Sequence, residues 1–199
     1  MLVILAASLC GCATIRITDP YRTATEEFLI TQAAQRAVDQ LSAISLRDRE
    51  VFVETSTLTA VAQPEQWDVY MIGEVRSRLL MQGVRLVDKK EKAKIILEVR
   101  SAGASIDRLE YLVGLPASSL GSNNPETKGV PVNTPELALF KSTKQLGYAS
   151  VAFIAYWADT GEVVASSGPF VGRTAREDFW ILGYHARTAG NIAPTETGQ

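Results

Sequence analysis

The sequence predicts an α+β fold: a two-layer α/β sandwich in which a mixed sheet of about five to six strands carries two amphipathic helices on one face. Three observations predict it. Two segments repeat apolar residues at spacings of three and four, the helical period. Several short runs alternate apolar and polar residues with period two, as half-buried strands do. The order strand, helix, strand, strand in the middle of the chain then points to helices packed on a sheet.

The first helix starts at Thr23-Ala24-Thr25-Glu26, a capping box in which Thr caps the first free amides and Glu reaches back three residues later. Ile30, Ala34, Ala37, Leu41 and Ile44 form its core-facing stripe. Val51 and Val53 alternate with Phe52 and Glu54 in a short strand. After Pro64 a second amphipathic helix carries Val69, Ile72, Val75, Leu79 and Leu80, with Gly83 as its stop signal. Residues 84–87 follow as a strand, and residues 88–92 form a solvated turn of mixed charge. Ile95, Leu97 and Val99 then share one face of a strand, with Glu98 and Arg100 on the other.

Residues 114–135 hold four of the eight prolines and fit neither a continuous helix nor a central strand, so they read as one long irregular loop. Beyond it, residues 137–140 and 149–157 read as strands, the second apolar on both faces and therefore central. Ala158-Asp159-Thr160-Gly161 is a turn signal, and residues 162–166 return as the partner strand. Residues 176–182 are expected to form a last short helix or strand. The polar segment from Ala186 to the C-terminus reads as a flexible tail. The division is therefore residues 1–11, 12–22, one domain over 23–185, and a tail over 186–199.

Of the 199 residues, 46% are hydrophobic and 21% charged, with 20 basic against 22 acidic side chains. A nucleic-acid binder carries a basic excess and a disordered chain carries few apolar residues with large net charge, so both classes are excluded. A chain of this size buries on the order of 70% of its unfolded surface, enough for one core.

The opening residues Met1 to Gly11 carry no charge, and residues 2–9 form an apolar run too short for a bilayer span of roughly 20 residues. That run fits the apolar core of a secretory signal. Leu9-Cys10-Gly11-Cys12 after it resembles the lipobox of bacterial lipoproteins, in which the cysteine after Gly becomes the acylated first residue of the mature chain. The resemblance assigns residues 1–11 as a signal peptide, Cys12 as the lipid-bearing position and residues 12–22 as a tether. Ala13, rather than Asp, after the acylated cysteine implies the outer membrane, facing the periplasm. No basic residue precedes the apolar run, a departure from the usual signal.

With Cys12 consumed by lipid, the mature chain holds one histidine, His185, and no free thiol. An imidazole or thiolate metal site and a Ser-His-Asp triad are accordingly not expected, and His185 reads as an exposed tail residue. Lys141-Ser142-Thr143-Lys144 lacks the glycine pattern of a phosphate loop and reads as a polar strand end. Asp107 and Glu110 are a candidate carboxylate pair on one helical face, such as a glycosidase uses, and Arg108 offers an ordinary ion-pair alternative. Tyr148, Phe153, Tyr156, Trp157, Phe179, Trp180 and Tyr184 read either as core packing, the favoured reading, or as a recognition surface.

The mature region resembles an uncharacterised family of bacterial envelope lipoproteins. Gly11-Cys12-Ala13-Thr14, the Thr23-Ala24-Thr25-Glu26 start, Val87-Asp88-Lys89 followed by Ile95-Ile96-Leu97-Glu98-Val99-Arg100, and Pro135-Glu136-Leu137-Ala138-Leu139-Phe140-Lys141 carry the resemblance. Residues 72–99 also look like the periplasmic α/β domain of curli-secretion-type assembly lipoproteins, in which such a domain oligomerises or docks partners. Long amphipathic β-hairpins of the kind that form a pore are not evident. The expected function is a non-enzymatic, lipid-anchored binding or assembly module with no cofactor, metal or nucleic acid. Its partners would be the bilayer, through Cys12, and an envelope protein or a second copy. The expected contact is the 114–135 loop, through Leu115, Leu120, Asn123, Asn124 and Val130, or a sheet edge. A carboxylate-based cell-wall hydrolase and a self-oligomerising structural lipoprotein are the alternatives. Cys12→Ser is expected to release the protein into the soluble periplasm, and continued sedimentation with membranes would refute the lipid assignment.

Overall fold

The computed structural model describes residues 22–59, 66–116, 118–120 and 132–192. Helix α1, Ala24–Val38, begins as the capping box requires. The Glu26 amide donates to Thr23 Oγ1 at 3.3 Å and the Thr23 amide donates to Glu26 Oε2 at 2.9 Å. Glu26 and Glu27 lie in its first turn and Arg36 in its last, each complementing the helix dipole. Its inner face is Leu29, Ile30, Ala33, Ala34, Ala37 and Val38, all buried.

A sheet of seven strands, one or two more than the sequence predicts, lies beneath the helices. Its order is β2 (Arg85–Leu86), β1 (Glu50–Glu54), β3 (Ile95–Arg100), β7 (Leu137–Trp157), β8 (Val163–Ile181), β9 (Tyr184–Gly190), with β4 (Ala104–Leu115) also on β7. β1 runs parallel to β2 and β3, and the remaining pairings are antiparallel. Two short strands, β5 (Ser118–Leu120) and β6 (Val132–Thr134), pair with each other apart from the main sheet.

The core fills the space between the sheet and two helices, α1 and α3 (Gln66–Met81), with the single turn α2 (Ser56–Thr59) beside them. Val51 and Val53 of β1, Leu97 and Val99 of β3, and Val151 and Phe153 of β7 meet Ala33, Ala37, Met71, Val75 and Leu79. The alternation of β1 and β3 is thus used as expected. Two stripes need correction. α1 stops at Val38, so Leu41 is buried from outside the helix and Ile44 is 71% exposed in a 3-10 turn, Ile44–Leu46. In α3 the buried row is Met71, Val75 and Leu79, each one turn apart, while Val69 and Leu80 face solvent.

β7 and β8 exceed the sequence expectation most. The strands expected at 137–140 and 149–157 are two ends of one 21-residue strand, because the polar segment between them is paired on both sides. At about 3.3 Å per residue β7 spans up to roughly 70 Å. β3 pairs with its residues 152–157 and β4 with its residues 137–149. Residues 176–181 are the end of β8, and β9 pairs with them, so the expected C-terminal tail begins as a strand. Asn191 extends that clasp: its side chain accepts from the Ala175 amide at 2.8 Å.

α1 sits against β7 and β8 at backbone distance. Thr174 Oγ1 donates to the Leu29 carbonyl at 2.9 Å, and a Cβ on Gly172 would stand 1.8 Å from the Ala33 oxygen. Gly172→Ala therefore forces the helix off the sheet and should destabilise the protein by about 1–3 kcal/mol, the usual range for overpacking. Gly73, inside α3, has nothing within 4 Å of an added Cβ. Gly73→Ala should stabilise by about 0.5–1 kcal/mol through helix propensity. Urea unfolding midpoints read both, and equal effects at the two sites would refute the close-approach account.

Candidate functional site

α1 reaches Gln145 with its first turn, where Gln145 Nε2 donates to Glu26 Oε1 at 3.3 Å. From there β7 runs on to Leu137, joined by β4, the end of β8 and β9. This part of the sheet is a four-stranded antiparallel arm, β4-β7-β8-β9, built of two hairpins. Long amphipathic hairpins of the pore-forming kind are not evident in the sequence; the structure has two long hairpins, and nothing among the described residues speaks to a pore. The sequence does not show them because residues 141–148 lack an apolar alternation of their own and take strand form from their partners.

Partners directly across a ladder point to the same face. Gly147 and Thr174 face α1, which puts Phe140, Ser142 and Lys144 on the far side. Opposite them on that side stand Val113, Tyr111 and Leu109 of β4, and Ile181, Phe179 and Glu177 of β8. Tyr184 and Arg187 of β9 complete the row. Tyr111 is 60% exposed, Val113 58%, Ile181 51% and Tyr184 81%. Leu115, Leu137, Leu139 and Leu182, at the end of the arm, are equally open.

The apolar face has local supports. The Phe140 and Phe179 rings lie 6.4 Å apart, and the Arg187 guanidinium stands 4.9 Å from the Phe179 centroid. Ser142 Oγ donates to Glu177 Oε1 at 2.7 Å. Lys144 and Glu177, directly paired across the ladder, close the apolar zone toward the body of the protein.

The face toward α1 is polar. Arg108 meets Glu110 at 2.8 Å, Lys141 meets Glu136 at 3.0 Å, and Arg176 meets Asp178 at 3.0 Å. Burial raises the Asp178 pKa, but hydrogen bonds from Arg176 and Thr188, with the Arg176 charge, outweigh it and hold the carboxyl below its ordinary value. His185 packs edge-on against Trp180, with ring centroids 4.9 Å apart, and its Nε2 lies 3.1 Å from Thr188 Oγ1. The Thr188 hydroxyl donates its hydrogen bond to Asp178 Oδ1. It can therefore only accept from His185, the reverse of a nucleophile-to-base relay. The group fastens β9 to β8.

The expected site residues fall as follows. Asp107 and Glu110 are on a strand, not a helix, and an odd separation sends them to opposite faces, where they cannot flank one bond. Arg108 pairs with Glu110, as the ordinary alternative has it. Lys141 and Ser142 lie within β7, occupied by Glu136 and Glu177. His185 is in β9, not in a tail. Among the aromatics Phe153 is fully buried core, while Trp180 and Tyr184 are exposed on the arm. Leu115 belongs to β4 and is 64% exposed. Leu120 is in β5, its side chain outside the described residues, as are Asn123, Asn124 and Val130. Cys12 also lies outside them.

Among the described residues no group of three His, Cys, Asp or Glu side chains is placed to hold a metal. A shallow pocket of about 250 Å³ lies where β3 gives way to β4, lined by Arg100, Ser101, Ser150 and Pro169. Its hydroxyls are engaged locally: Ser101 Oγ donates to the Ser150 carbonyl at 2.6 Å, and Ser150 Oγ accepts from the Ala102 amide at 2.9 Å.

Sequence reasoning missed Tyr111, Val113, Ile181 and the strand character of β4. A signal was present, because Leu109, Tyr111, Val113 and Leu115 alternate with Arg108, Glu110 and Leu112.

The model of a family of unknown function, DUF6655, matches residues 6–197, so the chain belongs to that family. No curated protein and no solved structure matches it.

Because the folded-state pKa of Asp178 is lowered, its ionised form contributes stability above the ordinary carboxylate range that is lost as pH falls through the lowered value. Asp178→Asn should therefore melt below wild type near neutral pH, with the gap closing below about pH 4. Melting temperatures across that range test this, and a gap of constant size would show that the charge contributes nothing.

Proposed function

We propose that this DUF6655 protein is a lipid-anchored, non-enzymatic binding or assembly module of the bacterial cell envelope. Cys12 carries the acyl chains, residues 13–22 tether the domain, and the protein faces the periplasm from the outer membrane. The observation that carries the binding role is the arm: a two-hairpin sheet with one face apolar and bare, standing beyond the helix layer. Contiguous apolar surface of this kind on a folded domain marks a contact site. The lipobox resemblance of Leu9-Cys10-Gly11-Cys12 supports the anchor, and about 0.8 kcal/mol per buried methylene makes several acyl chains an effectively permanent one.

The opposite-facing Asp107 and Glu110 remove the geometric support for the hydrolase alternative. Self-association keeps an observation of its own. β4 and β9 terminate the arm on either side, and among the described residues neither has a further strand beside it. The contact assigned to the irregular loop moves in this reading to the sheet, with Leu115 common to both.

Labelled palmitate should enter the wild-type chain and not Cys12→Ser, with the labelled chain fractionating with membranes. An unlabelled wild-type chain would sink the anchoring half of the reading. For the binding half, Tyr111→Ser with Val113→Ser should abolish a crosslinked complex, with a partner or a second copy, that the labelled wild-type protein forms in intact cells. Unchanged crosslinking would remove the arm as the contact.

A further inference from the structure

We propose that the apolar end of the arm, carried by Leu109, Tyr111, Val113, Phe179, Ile181 and Tyr184, seats in the interfacial layer of the bilayer that holds the acyl chains. The inference rests on the lipid-anchored reading above and names the partner of the arm.

The first argument is where the tether ends. Ten residues, 13–22, separate Cys12 from the capping Thr23, and they reach at most about 35 Å. α1 starts beside Gln145, three residues along β7 from Ser142 on the apolar face. The anchor thus leaves the domain at the arm, not at the far end of the sheet where β8 begins. With the acyl chains in the membrane, a tether of this length lets the apolar end of the arm reach it.

The second argument is depth. Along β7 the apolar zone runs from Leu137 to Lys144, and along β8 from Ile181 to Glu177. Seven residue steps at about 3.3 Å give roughly 23 Å, and Glu110, Lys141 and Asp178 stand at the same level on the opposite face. A strand that crosses a bilayer needs about 9–11 residues on its way through some 30 Å of hydrocarbon. An interfacial element is buried by about 5–10 Å. A zone too short to cross, apolar on one face and charged on the other, fits the second case with the arm lying on its apolar face, and the Lys144–Glu177 pair marks where that face turns polar along the strands.

The third argument is chemistry. Tyr111 and Tyr184, exposed on the apolar face, have an apolar ring and a polar tip, the residue types that concentrate at the headgroup level. Arg187, over the Phe179 ring, and Lys144 lie next to the apolar zone, within reach of headgroup phosphates. Glu177 and, deeper toward the body, Asp107 are the acidic groups on this face. Residues 121–131 contain one large apolar side chain, Val130, and residues 193–199 contain none.

The test uses the full-length acylated protein in vesicles of phosphatidylethanolamine and phosphatidylglycerol, with an environment-sensitive fluorophore on Val113→Cys or on Val163→Cys. Val163 is 57% exposed at the opposite end of β8. The probe at 113 should shift to the blue and be quenched by brominated acyl chains, and the probe at 163 should do neither. Ile181→Asp, or Tyr111→Ser should the first variant melt early, should abolish the shift at 113 while the protein stays on the vesicles. Acylated, vesicle-bound protein with no shift at 113 overturns the seating and leaves the anchor standing. Protein that carries no acyl chain and does not stay with the vesicles overturns the anchored reading itself. A shift that disappears at fewer than one copy per vesicle overturns the bilayer as occupant and assigns the face to a second copy.

Discussion

The contact on which the rest of the structure depends is the seam between α1 and the centre of the β7–β8 ladder. Gly147 and Gly172, with no Cβ, let the helix backbone come down onto the sheet, and Ala33 and Ala37 keep the helix side equally thin. Thr174 fills the remaining gap and uses its hydroxyl on the Leu29 carbonyl. Helix–sheet layers are ordinarily separated by interdigitating side chains. Here two glycines and a row of alanines replace that padding over a short stretch, so position along the sheet is set by backbone contact. Because β7 and β8 each continue on both sides of the seam, fixing it fixes the helical body and the arm relative to one another.

The two sides of the seam obey different rules. On one side, β1, β3 and the ends of β7 and β8 alternate into a helix-covered core, and burial of Val51, Leu97, Val99 and Phe153 supplies the apolar driving force. On the other, the same strands continue without helices. Their order comes from two continuous ladders, from Arg176, Asp178 and Thr188 on the polar face, and from the paired Phe140 and Phe179 rings on the apolar one. An arm built this way keeps strand geometry while leaving apolar side chains in water, a combination that burial alone does not produce. Charged neighbours such as Arg108 and Glu110 stand on the outermost strand, where they oppose indiscriminate edge pairing.

What could be read in the chain beforehand follows the reach of the signals. The capping box at Thr23 is local, four residues long, and the helix begins there. The alternation of Ile95, Leu97 and Val99 is local too, and the strand appears with the expected face inward. The α1 stripe was read beyond its end because Leu41 continues its spacing, yet the chain leaves the helix at Asp39 and buries Leu41 from a turn. Residues 141–148 carry two lysines, two hydroxyls and a glutamine, and nothing local separates them from a loop. They become strand because β4 and β8 pair on either side, interactions between residues up to forty-three positions apart. His185 looked like a tail residue for the same reason: its partners, Trp180 and Asp178, identify themselves only once β9 folds back.

By itself the sequence determined the α+β class, the first helix start and the core face of the parallel strands, since caps and short periods act over a few residues. It also carries Leu9-Cys10-Gly11-Cys12, whose resemblance to a lipobox no fold could have supplied. The tertiary structure alone decided that two expected strands are one, that Asp107 and Glu110 part to opposite faces, and that Tyr111, Val113, Phe179, Ile181 and Tyr184 come together on a bare face. Those outcomes depend on ladder register, and register is set by pairing between distant segments: a shift of one residue would exchange the two faces.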